Sequence, residues 1–82
     1  MRHATAAALD RLEPLLDRLR RVDSLREKSR GTFYKGSRAF LHFHEDGNEL
    51  FADVRLDGDF ERVNVTTTKE QDRLMQCVLS AL

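Results

Sequence analysis

The stretch RAFLHFHEDGNELFADVRL, residues 38–56, decides the fold. Apolar and polar residues alternate on both sides of Asp46-Gly47-Asn48, and period two is the mark of a half-buried strand, so the segment predicts two antiparallel strands joined by a tight turn. Alternation sorts the side chains into faces. Leu41, Phe43, Leu50, Ala52 and Val54 fall on one face, and Phe40, His42, His44, Phe51, Asp53 and Arg55 on the other. The turn sets the register. With Gly47-Asn48 at its centre His42 lies opposite Asp53; with Asp46-Gly47 at its centre His42 faces Phe51 and Asp53 faces Phe40.

The same pattern extends outward. In LDGDF (56–60) the Asp57-Gly58 turn pairs Leu56 with Asp59, which places Arg55 opposite Phe60 and Asp53 opposite Arg62. Upstream, GTFYKGSRAF (31–40) is two short runs around Gly36-Ser37, a Gly-first pair suited to a type II′ turn. Four consecutive antiparallel strands are therefore predicted, at about Thr32–Lys35, Arg38–Glu45, Glu49–Leu56 and Phe60–Val65. Tyr34, Ala39, Leu56, Val63 and Val65 join the first face, the expected core side. Phe33, Phe60, Arg62 and Asn64 join the second.

Helices flank the strands. Leu9, Leu12, Leu15, Leu16, Leu19 and Val22 recur at spacings of three and four, a stripe for burial. Proline fits only the first turn of a helix, so either Glu13 caps a helix with Pro14 at its first position, or a helix from about Thr5 is kinked there. The first of these, with an irregular arm over 1–13, is the expectation. RVDSLREKSRG (21–31) reads as a solvated helix end and connector. At the other end Thr67 and Glu70 form a capping box, and Leu74, Val78 and Leu82, with Met75 and Leu79 beside them, give the second helix its apolar stripe. Cys77, the single cysteine, reads as a small core residue and cannot form an internal disulfide. The expected fold is one α+β domain over residues 1–82. It is a two-layer sandwich of helix, four-stranded antiparallel meander and helix, with both helices on one sheet face.

Composition excludes several classes. A chain of 82 residues buries only about 60–65% of its unfolded surface, so self-association would help its stability. Fourteen basic residues balance fourteen acidic ones, which argues against a polyanionic partner. Arg18, Arg20, Arg21, Arg26, Lys28 and Arg30 do cluster, but Asp10, Glu13, Asp17, Asp23 and Glu27 interleave them as in a salt-bridged solvated helix. Nucleic-acid binding is therefore not the expected role, although a sheet with exposed aromatics and arginines could stack bases. No apolar run approaches a membrane span or a secretory core, so no membrane partner and a cytoplasmic location are expected.

The second sheet face carries the candidate site: Phe40, His42, His44, Phe51, Asp53, Arg55, Phe60 and Arg62. Two histidines two residues apart on a strand have α-carbons about 6.5–7 Å apart and can share an ion, with Asp53 as third ligand. Arg62 and Arg55 compete for that carboxylate, so an ion-paired sheet surface is the expectation, and His42, His44 and Asp53 are the metal candidates held as the rival. No catalytic residue is assigned. Ser37 is a turn residue, Cys77 is helical, and no phosphate loop, dinucleotide pattern or histidine-rich helix motif is present. No cofactor is expected.

The element order, with FYKGSRAFLHF (33–43) before LFADVRL (50–56), resembles the MmcQ/YjbR-like proteins, whose fold is similar to that of frataxin's bacterial relatives. The chain has no tryptophan, whereas such proteins usually carry one before the last helix. The resemblance implies a two-layer α+β sandwich with an accessible sheet face; it carries over no catalytic residue, and a DNA-binding role would follow from fold alone. The expected function is thus that of a small bacterial-type binding domain. Its face of Phe40, His42, His44, Phe51, Asp53, Arg55, Phe60 and Arg62 would pair it with a second copy as a homodimer, or hold a small ligand or metal.

Overall fold

The computed structural model describes all residues, 1–82, as an α+β domain with a six-stranded antiparallel sheet and three helices. The elements are β1 (Arg2–His3), α1 (Ala6–Arg11), α2 (Glu13–Arg20), β2 (Leu25–Ser29), β3 (Thr32–Lys35), β4 (Arg38–Asp46), β5 (Glu49–Asp57), β6 (Asp59–Asn64) and α3 (Thr68–Ala81). Strands β2 to β6 lie side by side in chain order. Strand β4 is long enough for two neighbours on one edge: β3 pairs with its first half, and β1 with its second through Arg2–Glu45 and His3–His44.

The four expected strands are present, and two more flank them. Strand β2 comes from LREKS, taken from the sequence as a solvated connector. As an edge strand it is charged on its exposed side, while Leu25 packs into the core. Gly31 then turns the chain at φ 80°, a conformation that favours glycine; a β-carbon there would also meet the Leu9 Cδ2 methyl at 2.7 Å, where that side chain would have to give way. The expected irregular arm over 1–13 is ordered instead. Thr5 caps α1, its Oγ1 accepting from the Ala8 amide at 3.3 Å, and Leu12 joins α1 to α2. Pro14 stands in the first turn of α2, where no amide hydrogen is needed. The kinked alternative is therefore the one realised.

Seventeen buried residues form one core cluster that joins Leu12, Leu15, Leu16 and Leu19 of the first helical region, Leu74, Met75 and Val78 of α3, and the inner face of the sheet. The capping box is made in full: Thr67 accepts from the Glu70 amide and Glu70 from the Thr67 amide. The stripe of α3 is narrower than its spacing implied. Leu79 is 57% exposed and Leu82 also lies outside the core, while Val78 between Met75 and Leu79 is fully buried. Cys77, expected in the core, is exposed.

A bulge at the start of β4 overturns part of the facial assignment. Phe33 pairs with Leu41 while Tyr34 pairs with Ala39, which leaves Phe40 as the extra residue. Phe33 is consequently fully buried, Phe40 is 4% exposed and inside the core cluster, and Tyr34 lies under Lys28, whose Nζ sits 4.1 Å from its ring centre. Two of the four phenylalanines assigned to the outer face thus belong to the core. No helix is long and apolar enough to cross a membrane.

Three of the clustered arginines are paired with carboxylates within the fold, while Arg21 and Arg26 make no ion pair. Arg20 pairs with Glu13, Asp17 and Glu27, Arg30 with Asp10 and Glu13, and Arg18 with Asp72. Hydrogen bonds from Arg20 hold the Glu27 carboxyl below its usual range, while burial opposes that shift. Arg20 ties α2 to β2, Arg30 ties the turn after β2 to α1 and α2, and Arg18 ties α2 to α3.

Candidate metal centre

The site is assembled by two hairpins. In the first, Asp46 pairs with Glu49 across Gly47-Asn48, with Gly47 at φ 61°, and this register sets His42 opposite Asp53 and His44 opposite Phe51. In the second, Asp57 pairs with Asp59 around Gly58, and a bulge at Leu56 restores the step. The turn therefore differs from the Leu56–Asp59 pairing expected, yet Arg55 still faces Phe60 and Asp53 still faces Arg62. Asp53 is the convergence point.

Asp53 is the one charged residue in the buried set, 8% exposed. Arg62 donates to it twice, Nε to Oδ1 at 2.7 Å and Nη2 to Oδ2 at 2.8 Å. His44 Nε2 lies 3.0 Å and His42 Nε2 3.3 Å from the same Oδ2. Hydrogen bonds from Arg62 hold the Asp53 carboxyl below its usual range, with its charge and those of the histidines adding and burial opposing. His42 is pushed down, chiefly by burial, against the pull of Asp53. The environment thus favours an anionic carboxylate beside a neutral imidazole.

Phe60 walls the site. Its ring meets the His42 ring edge-on at 5.1 Å, and the Arg55 guanidinium stands 4.3 Å from its centre. Arg55 does not reach Asp53; it donates to the carbonyls of Ala39 and Gly58 and so braces the ends of β4 and β5. Phe51 is half-buried between His44 and Asn64. Of the eight residues expected on this face, His42, His44, Asp53 and Arg62 come together, Phe51, Phe60 and Arg55 surround them, and Phe40 lies in the core.

One neighbour was missed. His3, on β1, stacks on His44 with ring centres 4.6 Å apart and planes 28° apart, and lies 6.0 Å from His42. A two-residue strand leaves no periodicity to read, so nothing in MRHAT announced that this histidine would join the other two.

One donor atom each from His42, His44 and Asp53 lies within 4.8 Å of the others. Ligands bound to a tetrahedral ion at about 2.0–2.1 Å sit about 3.3 Å apart, and both histidine-to-carboxylate separations fall within a few tenths of an ångström of that. Arg62 does not close the site. Each carboxylate oxygen has two lone pairs, and the guanidinium uses one on each. Comparison of the chain with protein-family models, with curated proteins and with solved structures gives no match.

Proposed function

We propose that this chain is a small binding domain that takes up one divalent first-row transition ion, such as zinc, through His42, His44 and Asp53. The observation that supports this reading is the convergence of the three donors, 3.0 and 3.3 Å from the two histidine nitrogens to Oδ2 and all within 4.8 Å of one another, which side-chain rotation alone could close around an ion. The surroundings support it. Imidazole ligates in its neutral form, and burial holds His42 there. Arg62 keeps the carboxylate charged and fixed in orientation, the part an outer partner plays around a metal ligand. Without an ion the two imidazoles face the carboxylate with Nε2; on binding, each neutral ring would carry its proton on Nδ1, so that the Nε2 lone pair is free for the metal.

Calorimetric titration with zinc chloride is the test. Wild-type chain should bind one equivalent with a saturable heat, and Asp53→Asn and His42→Ala should each weaken binding by at least about tenfold. No saturable heat in the wild-type chain would refute the reading.

A second reading is association of two copies through the same face. It rests on Phe60, 39% exposed beside His42, and on half-buried Phe51, a smaller apolar area than four phenylalanines would have offered. The likeness to the MmcQ/YjbR-like proteins belongs with these proposals as a likeness of element order, and a cytoplasmic, bacterial setting goes with it.

A further inference from the structure

His3 is the histidine that three-ligand binding leaves without a part. Its backbone is already in place. The Arg2 guanidinium reaches Glu45 Oε1 at 3.3 Å, the Thr5 amide and hydroxyl both donate to Glu45 Oε2 at 2.7 Å, and the Ala4 amide donates to the Phe43 carbonyl at 3.1 Å. Glu45, directly after His44, thus clamps the segment on both sides of His3. The imidazole is exposed, makes no hydrogen bond or ion pair, and touches its neighbours only by stacking. An exposed ring held only by stacking turns about its side-chain bonds at little cost, whereas its α-carbon is fixed opposite that of His44.

We propose that His3 turns off the His44 ring to supply the fourth protein ligand, converting an open three-ligand site into a closed set of three histidines and one aspartate. This inference rests on the metal reading above. Three protein ligands leave the fourth tetrahedral position to water, the arrangement of sites that do chemistry on bound water, while four protein ligands make a site that holds structure. His3 therefore decides which kind of site this is. Because the ligand rides on a two-residue strand, ion uptake and docking of the N-terminal segment onto β4 become one equilibrium, in which the ion strengthens the segment and the docked segment strengthens ion binding.

The test compares wild-type chain with His3→Ala and with the double change His42→Ala, His44→Ala, using zinc for affinity and cobalt(II) as a spectroscopic probe of coordination. Far-UV circular dichroism first establishes that each variant is folded. The wild-type cobalt complex should show the intense visible absorption of a four-coordinate ion. His3→Ala should weaken zinc binding by at least about tenfold and change that spectrum, while the double variant binds neither ion. Zinc should also slow hydrogen exchange at the Ala4 amide in the wild-type chain and not in His3→Ala. Zinc affinity and a cobalt spectrum unchanged by His3→Ala would overturn the inference and leave the three-ligand site standing. Absence of binding in the wild-type chain would overturn both.

Discussion

Asp53 shows how one side chain can order a face. It is nearly buried, it receives two guanidinium hydrogen bonds, and both histidines lean on its Oδ2. Asp53→Ala should therefore destabilise the domain by about 1–3 kcal/mol, and exposed Asp57→Ala by clearly less. Denaturant melts of both, with Arg62→Ala in a double-mutant cycle, check this; zero coupling between Asp53 and Arg62 would contradict it. Acid acts on the same cluster. The His42 pKa is lower in the folded chain than its ordinary 6.5, so the unfolded chain binds more protons and stability falls as pH drops below about 6.5, levelling off below the folded pKa. The Asp53 contribution has the other window: present above its unfolded pKa of about 3.9, it is lost as pH falls through its depressed folded value. In His42→Gln the first decline should flatten while the second persists. Melting midpoints measured from pH 7.5 to pH 3 separate the two; an unchanged decline below 6.5 in His42→Gln would remove His42 as its cause. The pair Asp53–Arg62 was reached from the sequence by turn counting, and it holds because the bulge at Leu56 cancels the one-residue difference between the expected turn and the Asp57–Asp59 turn that forms. The pairing of His42 with Asp53 was legible only as one of two registers, since either Asp46-Gly47 or Gly47-Asn48 can head a hairpin.

At the scale of elements, period and turn chemistry located β3 to β6 and α3, but two features escaped them. The bulge at Phe40 shifts the alternation of β4 against β3 by one residue, and no residue type in FYKGSRAF marks where an extra residue enters. Strand β2 was hidden by its charges, because an edge strand is polar for the same reason that a solvated connector is. Width misled in α3: a periodic stripe says which residues could face a core, not how wide a strip of the helix the core covers. Leu74→Ala, at a 3% exposed position, should cost about 2–5 kcal/mol, and Leu79→Ala should stay within about 0.5. Chemical melts of the two would show it, and comparable losses would mean that α3 packs over the wider strip.

For the molecule as a whole, the inner face of the sheet is closed by the helices' leucines, and the outer face is left with ionisable groups. Phe33 and Phe40, which would have made that face apolar, lie inside. Self-association through it must then rest on Phe60 and Phe51. Sedimentation at high micromolar concentration, with and without zinc, should show any dimer of the wild-type chain shifted toward monomer by Phe60→Asp. A dimer unaffected by that charge would place the contact elsewhere. The nature of the site lies one step beyond legibility: His42, His44 and Asp53 could be named from the sequence, but the approach of both histidine nitrogens to within 3.3 Å of Asp53 Oδ2, and the arrival of His3, depend on register and on a short strand that leave no pattern.

The central claim, that these donors hold a metal, is tested most directly by elemental analysis of the chain after it is loaded with one equivalent of zinc and dialysed without chelator. The account predicts near-stoichiometric zinc in the wild-type chain and none above background in the folded His42→Ala, His44→Ala variant. Equal zinc in the two, or none in the wild-type chain, would contradict it.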